Sequence, residues 1–213
     1  MTNTGHACIP DSLPVTRQND GPLRACSVRL FLTATASFNS RVCAHVTGGP
    51  QTHIGIIFDM ENGKSVYMEA MFRKGVVPAR STEKLELFLL KAVGRNKLWI
   101  AETNIKGDAA NMLYKRCQED VGEYGYYEWQ LVLMWFNERI GRFIRWSMPT
   151  SEHLVVCSEW VSRRIARYGY DLRDFWHRSH DAVTPHSAYK KMGLENKSKF
   201  IAAPRRIQAG ELI

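Results

Sequence analysis

Segments that favour β-strands lie in the first half of this 213-residue chain, and segments that favour helices lie in the second. The clearest pattern is a pair of apolar, β-branched runs at residues 53–58 and 65–70, separated by a turn at Gly63, which predicts a β-hairpin. Since strands and helices in separate blocks favour segregated layers, the sequence predicts an α+β fold with an antiparallel sheet packed against helices. Further strands are predicted at residues 28–32, 76–77 and 97–101.

The helical patterns become stronger towards the middle of the chain. Apolar residues recur at helical spacing between Trp129 and Ile144, which indicates an amphipathic helix. Asp108 is the expected N-cap of the helix before it, because a short acidic side chain can accept hydrogen bonds from the first free N–H groups. Helices are predicted at residues 34–46, 82–90, 108–121, 129–144 and 158–167.

The ends of the chain differ in composition from its centre. Residues 1–25 are rich in Thr, Asn, Pro, Gly and Asp with little periodicity, so we expect a disordered leader there. One domain is expected at 26–192, a length that can bury a core without disulfides or metals. A basic tail is expected at 193–213, as the last part of a loose end that begins near Ser187.

Composition and charge limit the functions that the chain can have. Hydrophobic residues make up 45% and charged residues 23%, and no apolar run approaches the ~20 residues of a membrane span. The 29 basic and 21 acidic residues give a formal net charge of +8, which favours an anionic partner such as a membrane surface or a cell-wall polymer. The sequence contains neither a nucleic-acid motif nor a glycine-rich phosphate loop, so no nucleic acid and no cofactor is predicted.

Cysteine usage points to a reducing compartment. The five cysteines, at positions 8, 26, 43, 117 and 157, form no C-x-x-C pair. This spacing disfavours a disulfide framework and a zinc site, so no metal is predicted. The sequence also lacks the pattern of a signal peptide, and we therefore expect a cytoplasmic protein with reduced thiols.

Cys157 is the strongest candidate for a reactive side chain. It follows the apolar pair Val155 and Val156 and opens the predicted helix at 158–167. The free N–H groups and the positive dipole end of a helix both favour a thiolate, which is the nucleophilic form of cysteine. The alternative interpretation is a small buried cysteine that fills a strand-to-helix junction.

His53 and Glu69 are the candidates for the groups that would activate such a thiolate. His53 opens an apolar strand next to Gly55, and Glu69 lies on the return strand of the same predicted hairpin. An acidic side chain in an apolar strand is costly unless it is paired, which gives Glu69 a reason to face the histidine. The alternatives are a structural histidine and a carboxylate that faces outward at the sheet edge.

The segments around these three residues resemble those of one family. His53 lies in Thr-His-Ile-Gly-Ile-Ile, Glu69 in Val-Tyr-Met-Glu-Ala and Cys157 in Val-Cys-Ser-Glu-Trp-Val. In this order, with the histidine strand first and the cysteine helix last, the chain resembles the circularly permuted papain-like amidases of the NlpC superfamily. The Gly-Glu-Tyr-Gly-Tyr segment that begins at Gly122 is also similar to the glycine–tyrosine segment of that family. The resemblance spans residues 27–192.

The resemblance implies a circularly permuted papain-like, NlpC-type fold and a cysteine peptidase or amidase activity. Cys157 would be the nucleophile, His53 the base and Glu69 the residue that orients the imidazole. The implied enzyme is a thiol hydrolase that cleaves an amide or isopeptide bond, as in a cell-wall stem peptide, through a thioester. The backbone N–H of Cys157 would hold part of the oxyanion.

Two other functions stay open at this stage. One is a thiol acyltransferase or lipid amide hydrolase at a membrane surface, which membrane binding by the predicted helix at 129–144 would support. The other is a non-catalytic virion or binding protein that retains the fold. A cell-wall substrate without a signal peptide would need other means of delivery, as in a phage-borne or virion-associated protein. The sequence does not identify an oligomeric state.

Two clusters and one single residue are weaker candidates for a functional site. The histidines near residue 180 are interpreted as a surface loop rather than a metal site, and the arginines after Cys157 as a solvated helix face rather than a phosphate site. His153 is the second choice for a base. The clusters are His177, His180 and His186, and Arg163, Arg164 and Arg167.

Overall fold

A computed structural model of the chain describes residues 23–35, 37–90, 96–126, 154–173, 180, 183–194, 204–208 and 211. Within those residues the fold is α+β, with a mostly antiparallel sheet and several helices. Most of the predicted leader, the predicted helix at 129–144, His153 and His177 lie outside the described residues. Of the helices in the described ranges, none has both the length and the apolar character needed to cross a membrane.

The secondary structure of the described part follows the predicted order, with additions at the C-terminal end. The strands are β1 (Ala25–Ala34), β2 (His53–Met60), β3 (Ser65–Met68), β4 (Ala70–Met71), β5 (Gly75–Val76), β6 (Arg80–Ser81), β7 (Lys97–Lys106), β8 (Gly125–Tyr126), β9 (Leu154–Val155) and β10 (Arg205–Ile207). The helices are α1 (Phe38–Thr47), α2 (Glu83–Leu90), α3 (Asp108–Glu119), α4 (Cys157–Ala166) and α5 (Pro185–Leu194).

The main sheet has the strand order β10–β7–β1–β2–β3–β6, and neighbouring strands in it are antiparallel. The predicted hairpin is confirmed, because β2 pairs with β3 across a turn in which Gly63 has a φ of 77°. That left-handed conformation suits glycine, which has no Cβ to clash with the backbone. In the ladder between β1 and β2, Phe31 lies opposite Gly55 and Thr33 lies opposite His53.

The sheet separates two apolar clusters, because successive side chains of a strand point to opposite faces. The larger cluster joins one face to residues of α3, α4 and α5, and the smaller joins the other face to residues of α2. His53 and Ile57 lie four positions apart in β2, so their side chains point to the same face of the sheet, and Ile57 belongs to the smaller cluster. From the sheet, Leu30, Ile56 and Ala101 face the larger cluster, and Phe31, Ile57 and Leu98 face the smaller.

The prediction that Asp108 caps α3 with its side chain was wrong. Gly107 occupies the N-cap position with a φ of 57°, and no side chain makes a cap hydrogen bond there. Asp108 instead lies in the first turn, where its negative charge suits the positive end of the helix dipole. Its carboxylate accepts a hydrogen bond of 2.8 Å from Arg24, which is well exposed.

The prediction of a loose end from Ser187 onward was wrong for two segments. Ser187 lies in α5, whose start is fixed by reciprocal hydrogen bonds: the N–H of Thr184 donates to the Ser187 hydroxyl at 2.9 Å, and the N–H of Ser187 donates to the Thr184 hydroxyl at 3.0 Å. This is a capping box, with Pro185 at the first helical position. Further on, β10 pairs with β7 and extends the main sheet.

Candidate active site

His53 is held at the first position of β2, with one ring nitrogen bound to a carboxylate. Its Nε2 lies 2.6 Å from Oε2 of Glu69. The Phe31 ring from the neighbouring strand lies beside the imidazole, with 6.2 Å between the ring centroids. Gly55 lies opposite Phe31 in the ladder and must be glycine. A Cβ there would overlap the Phe31 ring and lie 2.7 Å from the carbonyl oxygen of Met68. Gly55 therefore makes room for the ring that packs against His53.

Glu69 directly follows β3, and both of its carboxylate oxygens have partners. Oε2 binds His53, and Oε1 accepts a hydrogen bond of 3.4 Å from Nη1 of Arg80. The residue is only 8% exposed, so it is not the outward-facing edge carboxylate of the alternative interpretation. Burial alone raises the pKa of Glu69, but the hydrogen bond and charge of His53 and the charge of Arg80 outweigh it and lower the pKa below its ordinary value.

Cys157 is the first residue of α4 and is 4% exposed. Burial alone raises the pKa of its thiol, yet the charge and hydrogen bond of His53 and the backbone N–H groups of Ile54 and Ser158 lower it below its ordinary value. The N-cap residue of α4, Val156, makes no side-chain cap hydrogen bond, so the first N–H groups of the helix have no capping oxygen from that residue. The local structure thus favours a thiolate at this position.

The imidazole of His53 bridges the thiol and the carboxylate. Its Nε2 binds the Glu69 carboxylate, and the Cys157 thiol lies close enough to the same ring for each group to shift the pKa of the other. Burial lowers the pKa of His53, but the charge and hydrogen bond of Cys157 and then those of Glu69 raise it well above its ordinary value. A lowered thiol pKa beside a raised imidazole pKa means that the two groups stabilise each other as a thiolate–imidazolium pair.

The start of α4 is fixed by polar contacts along the helix. The Ser158 hydroxyl donates to the carbonyl of Val183, and the indole N–H of Trp160 donates to Asp120 at 2.8 Å. Arg164 makes a bidentate pair with the same carboxylate, with its Nε 2.5 Å from Oδ2. The contacts with Asp120 join α4 to the end of α3, and the contact with Val183 joins it to the segment before α5, so the orientation of the helix that carries the sulfur is fixed.

The predicted solvated arginine face on α4 was wrong for two of its three members. Arg164 is bound to the buried Asp120, and Arg163 pairs with the buried Glu159 at 2.5 Å. Arg167 is exposed at the end of the helix, as predicted. The first two arginines therefore neutralise buried carboxylates.

The glycine–tyrosine segment connects the hairpin β4–β5 to the beginning of α4. The carbonyl of Tyr124 accepts a hydrogen bond of 3.3 Å from the N–H of Val76, and its hydroxyl lies 3.4 Å from Nη2 of Arg164. Gly75 must lack a Cβ, because one would overlap the Tyr124 carbonyl. The segment continues into β8, which pairs in parallel with β9 directly before Cys157.

The described members of the histidine cluster have protein partners. His180 Nδ1 lies 2.7 Å from the hydroxyl of Ser162, and His186 Nδ1 lies 2.7 Å from the side-chain oxygen of Gln51. In the described part of the chain, no three or more His, Cys, Asp or Glu side chains are grouped so that they could hold a metal ion.

Two residues near the three candidates escaped the sequence reasoning. Arg80 lies in the two-residue strand β6, and only the pairing of β3 with β6 brings it to Glu69. Cys43 of α1 is close enough to Cys157 for their charges to interact, and burial together with that interaction raises the pKa of Cys43. No local sequence signal marks Arg80, because its position beside Glu69 depends on which strand β6 pairs with.

No protein-family model matches the chain, and a search of curated proteins also gives no match. The site must therefore be judged by its own chemistry. A buried cysteine at a helix start, an imidazole that lowers the pKa of its thiol and a carboxylate bound to that imidazole are the parts needed for nucleophilic catalysis on an acyl group.

Proposed function

We propose that the chain is a thiol hydrolase in which Cys157 is the nucleophile, His53 the general acid and base, and Glu69 the residue that orients the imidazole. The observation that carries this proposal is a row of three side chains, in which the buried carboxylate of Glu69 is hydrogen-bonded to the His53 ring and the Cys157 thiol is close enough to that ring for each to shift the pKa of the other. A merely structural cysteine has no need of such a row, because burial in apolar surroundings would keep it a neutral thiol.

The reaction proceeds in two stages with His53 moving the proton. The Cys157 thiolate attacks the carbonyl carbon of an amide, and a C–S bond forms while the oxygen becomes an oxyanion near the first N–H groups of α4. The imidazolium gives its proton to the departing amine as the C–N bond breaks, which leaves a thioester. His53 then accepts a proton from water, whose oxygen attacks the thioester and releases a carboxylic acid and the thiolate.

The arrangement of the three residues along the chain supports a circularly permuted papain-like, NlpC-type fold. His53 comes from a sheet strand early in the chain, Glu69 follows the neighbouring strand, and Cys157 opens a helix packed on that sheet much later. Within this proposal, the net charge of +8 favours an anionic target. An amide or isopeptide bond in a cell-wall stem peptide is the substrate class that we propose.

The first experiment measures the alkylation of each cysteine by iodoacetamide between about pH 5 and 9, with mass spectrometry of the peptides. We expect Cys157 to react with an apparent pKa well below ~8.5, although it is nearly buried. The His53→Ala variant should lose this reactivity or shift it to higher pH. Cys26, which is exposed, serves as the internal reference for a thiol that the reagent can reach.

The matched control is His45→Ala, which removes an exposed histidine from the last turn of α1 and should leave the profile of Cys157 unchanged. If Cys157 reacts no faster than the other cysteines and His53→Ala makes no difference, the proposed nucleophile is wrong. Where the profile agrees, incubation with stem peptides should add the acyl mass to Cys157, and Cys157→Ala should abolish that addition.

A further inference from the structure

A guanidinium group lies directly behind the carboxylate of the candidate site. Arg80 of β6 is the ladder partner of Tyr67 in β3, and its side chain reaches past that residue to Oε1 of Glu69 at 3.4 Å. The charge of Arg80 also acts on the Tyr67 hydroxyl, where it lowers the pKa against the raising effects of burial and of Glu69. Its own exposed fraction is 27%, so it contacts solvent on one side and the buried carboxylate on the other.

The two contacts of Glu69 fix different oxygens of the carboxylate. Oε2 is bound to His53 and Oε1 to Arg80, so the group is held from both sides. A carboxylate with one partner can rotate about its terminal bond, because that torsion has a broad energy profile. With a second, charged partner the orientation towards the imidazole is retained, and the buried negative charge has a compensating cation.

We propose that Arg80 is a positioning residue of the thiol site, which acts through Glu69 by holding its carboxylate ionised and turned towards His53. This inference rests on the proposed function for its catalytic meaning, since a correctly oriented imidazolium is what the thiol reaction needs. Arg80 itself contacts neither the sulfur nor the imidazole among the interactions of the described residues.

The proposal can be tested because a purely electrostatic role of Arg80 and a positioning role predict opposite changes in the pKa of His53. Removing a nearby cation raises the pKa of an imidazole, since a like charge disfavours the imidazolium. Loss of an oriented carboxylate lowers that pKa, since the hydrogen bond to Glu69 favours the charged ring. A fall in the pKa of His53 after Arg80 is removed therefore identifies a positioning role. Besides Glu69, the ionisable groups that act on this centre within the described residues are Cys157, Cys43, Tyr67 and Arg80.

The experiment is an NMR titration of the His53 ring in the full chain carrying Cys157→Ala, which separates the effect of the carboxylate from that of the thiolate. In this background Glu69→Gln measures the full contribution of the carboxylate, and we expect it to lower the pKa of His53 by about one pH unit. Arg80→Met should cause more than half of that fall. Arg80→Lys should retain most of the original value, and Arg80→Gln, a neutral donor, should lie between the lysine and methionine variants.

The matched control is Arg29→Met, because Arg29 forms an ion pair with Asp59 elsewhere in the sheet and has a similar exposed fraction of 26%. It should leave the titration of His53 unchanged. A pKa of His53 that rises or stays constant in the Arg80 series would overturn the proposal. If Arg80→Met does not fold, Arg80→Lys and Arg80→Gln decide the question. The proposal then requires a lower pKa of His53 in Arg80→Gln than in Arg80→Lys. Alkylation of Cys157 tests the proposed function separately, because the titration needs no thiol.

Discussion

The ionisation of Glu69 links the candidate site to the stability of the whole fold. Burial raises the pKa of this carboxyl group, but the hydrogen bond from His53 and the charge of Arg80 outweigh burial. Its pKa in the folded state therefore lies below the ordinary value of 4.5. A group whose pKa is lowered by folding stabilises the folded state above its unfolded pKa, and it loses that effect as the pH falls through the folded pKa. His53, whose pKa is raised, has the opposite dependence: its contribution is complete below 6.5 and is lost as the pH rises through its higher pKa in the folded state.

We predict that Glu69→Gln lowers the free energy of unfolding by about 2 kcal/mol near pH 6, because it removes a charge-assisted hydrogen bond from a buried site. Towards about pH 3 the difference between the two proteins should shrink, because below 4.5 the unfolded state takes up a proton at Glu69 and the stabilisation is lost as the pH falls towards the lowered pKa of the folded state. Urea unfolding at both pH values measures this.

The control for this prediction is Glu61→Gln, which changes a carboxylate that is 58% exposed and weakly paired with Arg24. Its effect on the free energy of unfolding should be below about 1 kcal/mol at both pH values. A loss of stability in Glu69→Gln that is equally large at the two pH values would show that the ionised carboxylate is not what stabilises the site.

At the scale of elements, α4 depends on a buried ion pair at the end of α3. Asp120 is 5% exposed and binds both Trp160 and Arg164, so its charge is compensated inside the protein. Burial is the main factor that raises the pKa of this carboxyl group, and the two hydrogen-bond donors oppose the effect. Removing one partner of a buried pair leaves an uncompensated charge, which costs more than the pair contributes.

We predict that Arg164→Met lowers the free energy of unfolding by about 3 kcal/mol because it leaves Asp120 without its cation. It should also slow the alkylation of Cys157, since α4 is no longer anchored at this point. Arg24→Met is the control, because the ion pairs of Arg24 are exposed and should contribute less than about 1 kcal/mol. Equal losses of stability in the two variants would contradict the assignment of Asp120 and Arg164 as the anchor of α4.

The elements that the sequence predicts correctly are those with strong periodic patterns. The hairpin of β2 and β3, the strands β1, β5 and β7 and the helices α1, α2, α3 and α4 were identified, with ends that differ by a few residues. The helix α5 was missed because its capping box uses Thr184 and Ser187, where an acid or amide at the second position is the usual signal. β10 has only three residues, too few for a period to be recognised.

The candidate site was predictable to the extent that its residues lie in patterned segments. His53, Glu69 and Cys157 each occupy a recognisable strand or helix start, and the structure brings the three side chains together. Arg80 could not be predicted, because its position depends on which strand β6 pairs with. The pairing of Asp120 with Arg164 joins residues 44 positions apart, and no local pattern encodes a contact between α3 and α4 of that kind.

At the scale of the whole molecule, the sheet connects distant parts of the chain. β10, near the C-terminal end, forms one edge of the sheet, and β6 forms the other. Ile207 of β10 lies opposite Leu98 of β7 and is buried in the smaller apolar cluster, with α2 on the same face. The C-terminal strand therefore belongs to the same packed unit as the strands that carry the candidate site.

We predict that Ile207→Ala lowers the free energy of unfolding by about 2 kcal/mol, because the deleted methyl groups leave a cavity in the smaller cluster. For a chain of this length, the loss corresponds to a fall in Tm of roughly 4–8 °C, which a thermal scan followed by circular dichroism resolves. Arg206→Ala is the matched control, since the neighbouring side chain is exposed and its removal should change the free energy by less than about 0.5 kcal/mol. The unfolding transition should stay single in both variants, because β10 pairs with β7 in the main sheet. If the two variants have the same Tm, or if Ile207→Ala adds a second transition at lower temperature, the C-terminal strand is not part of the cooperative core.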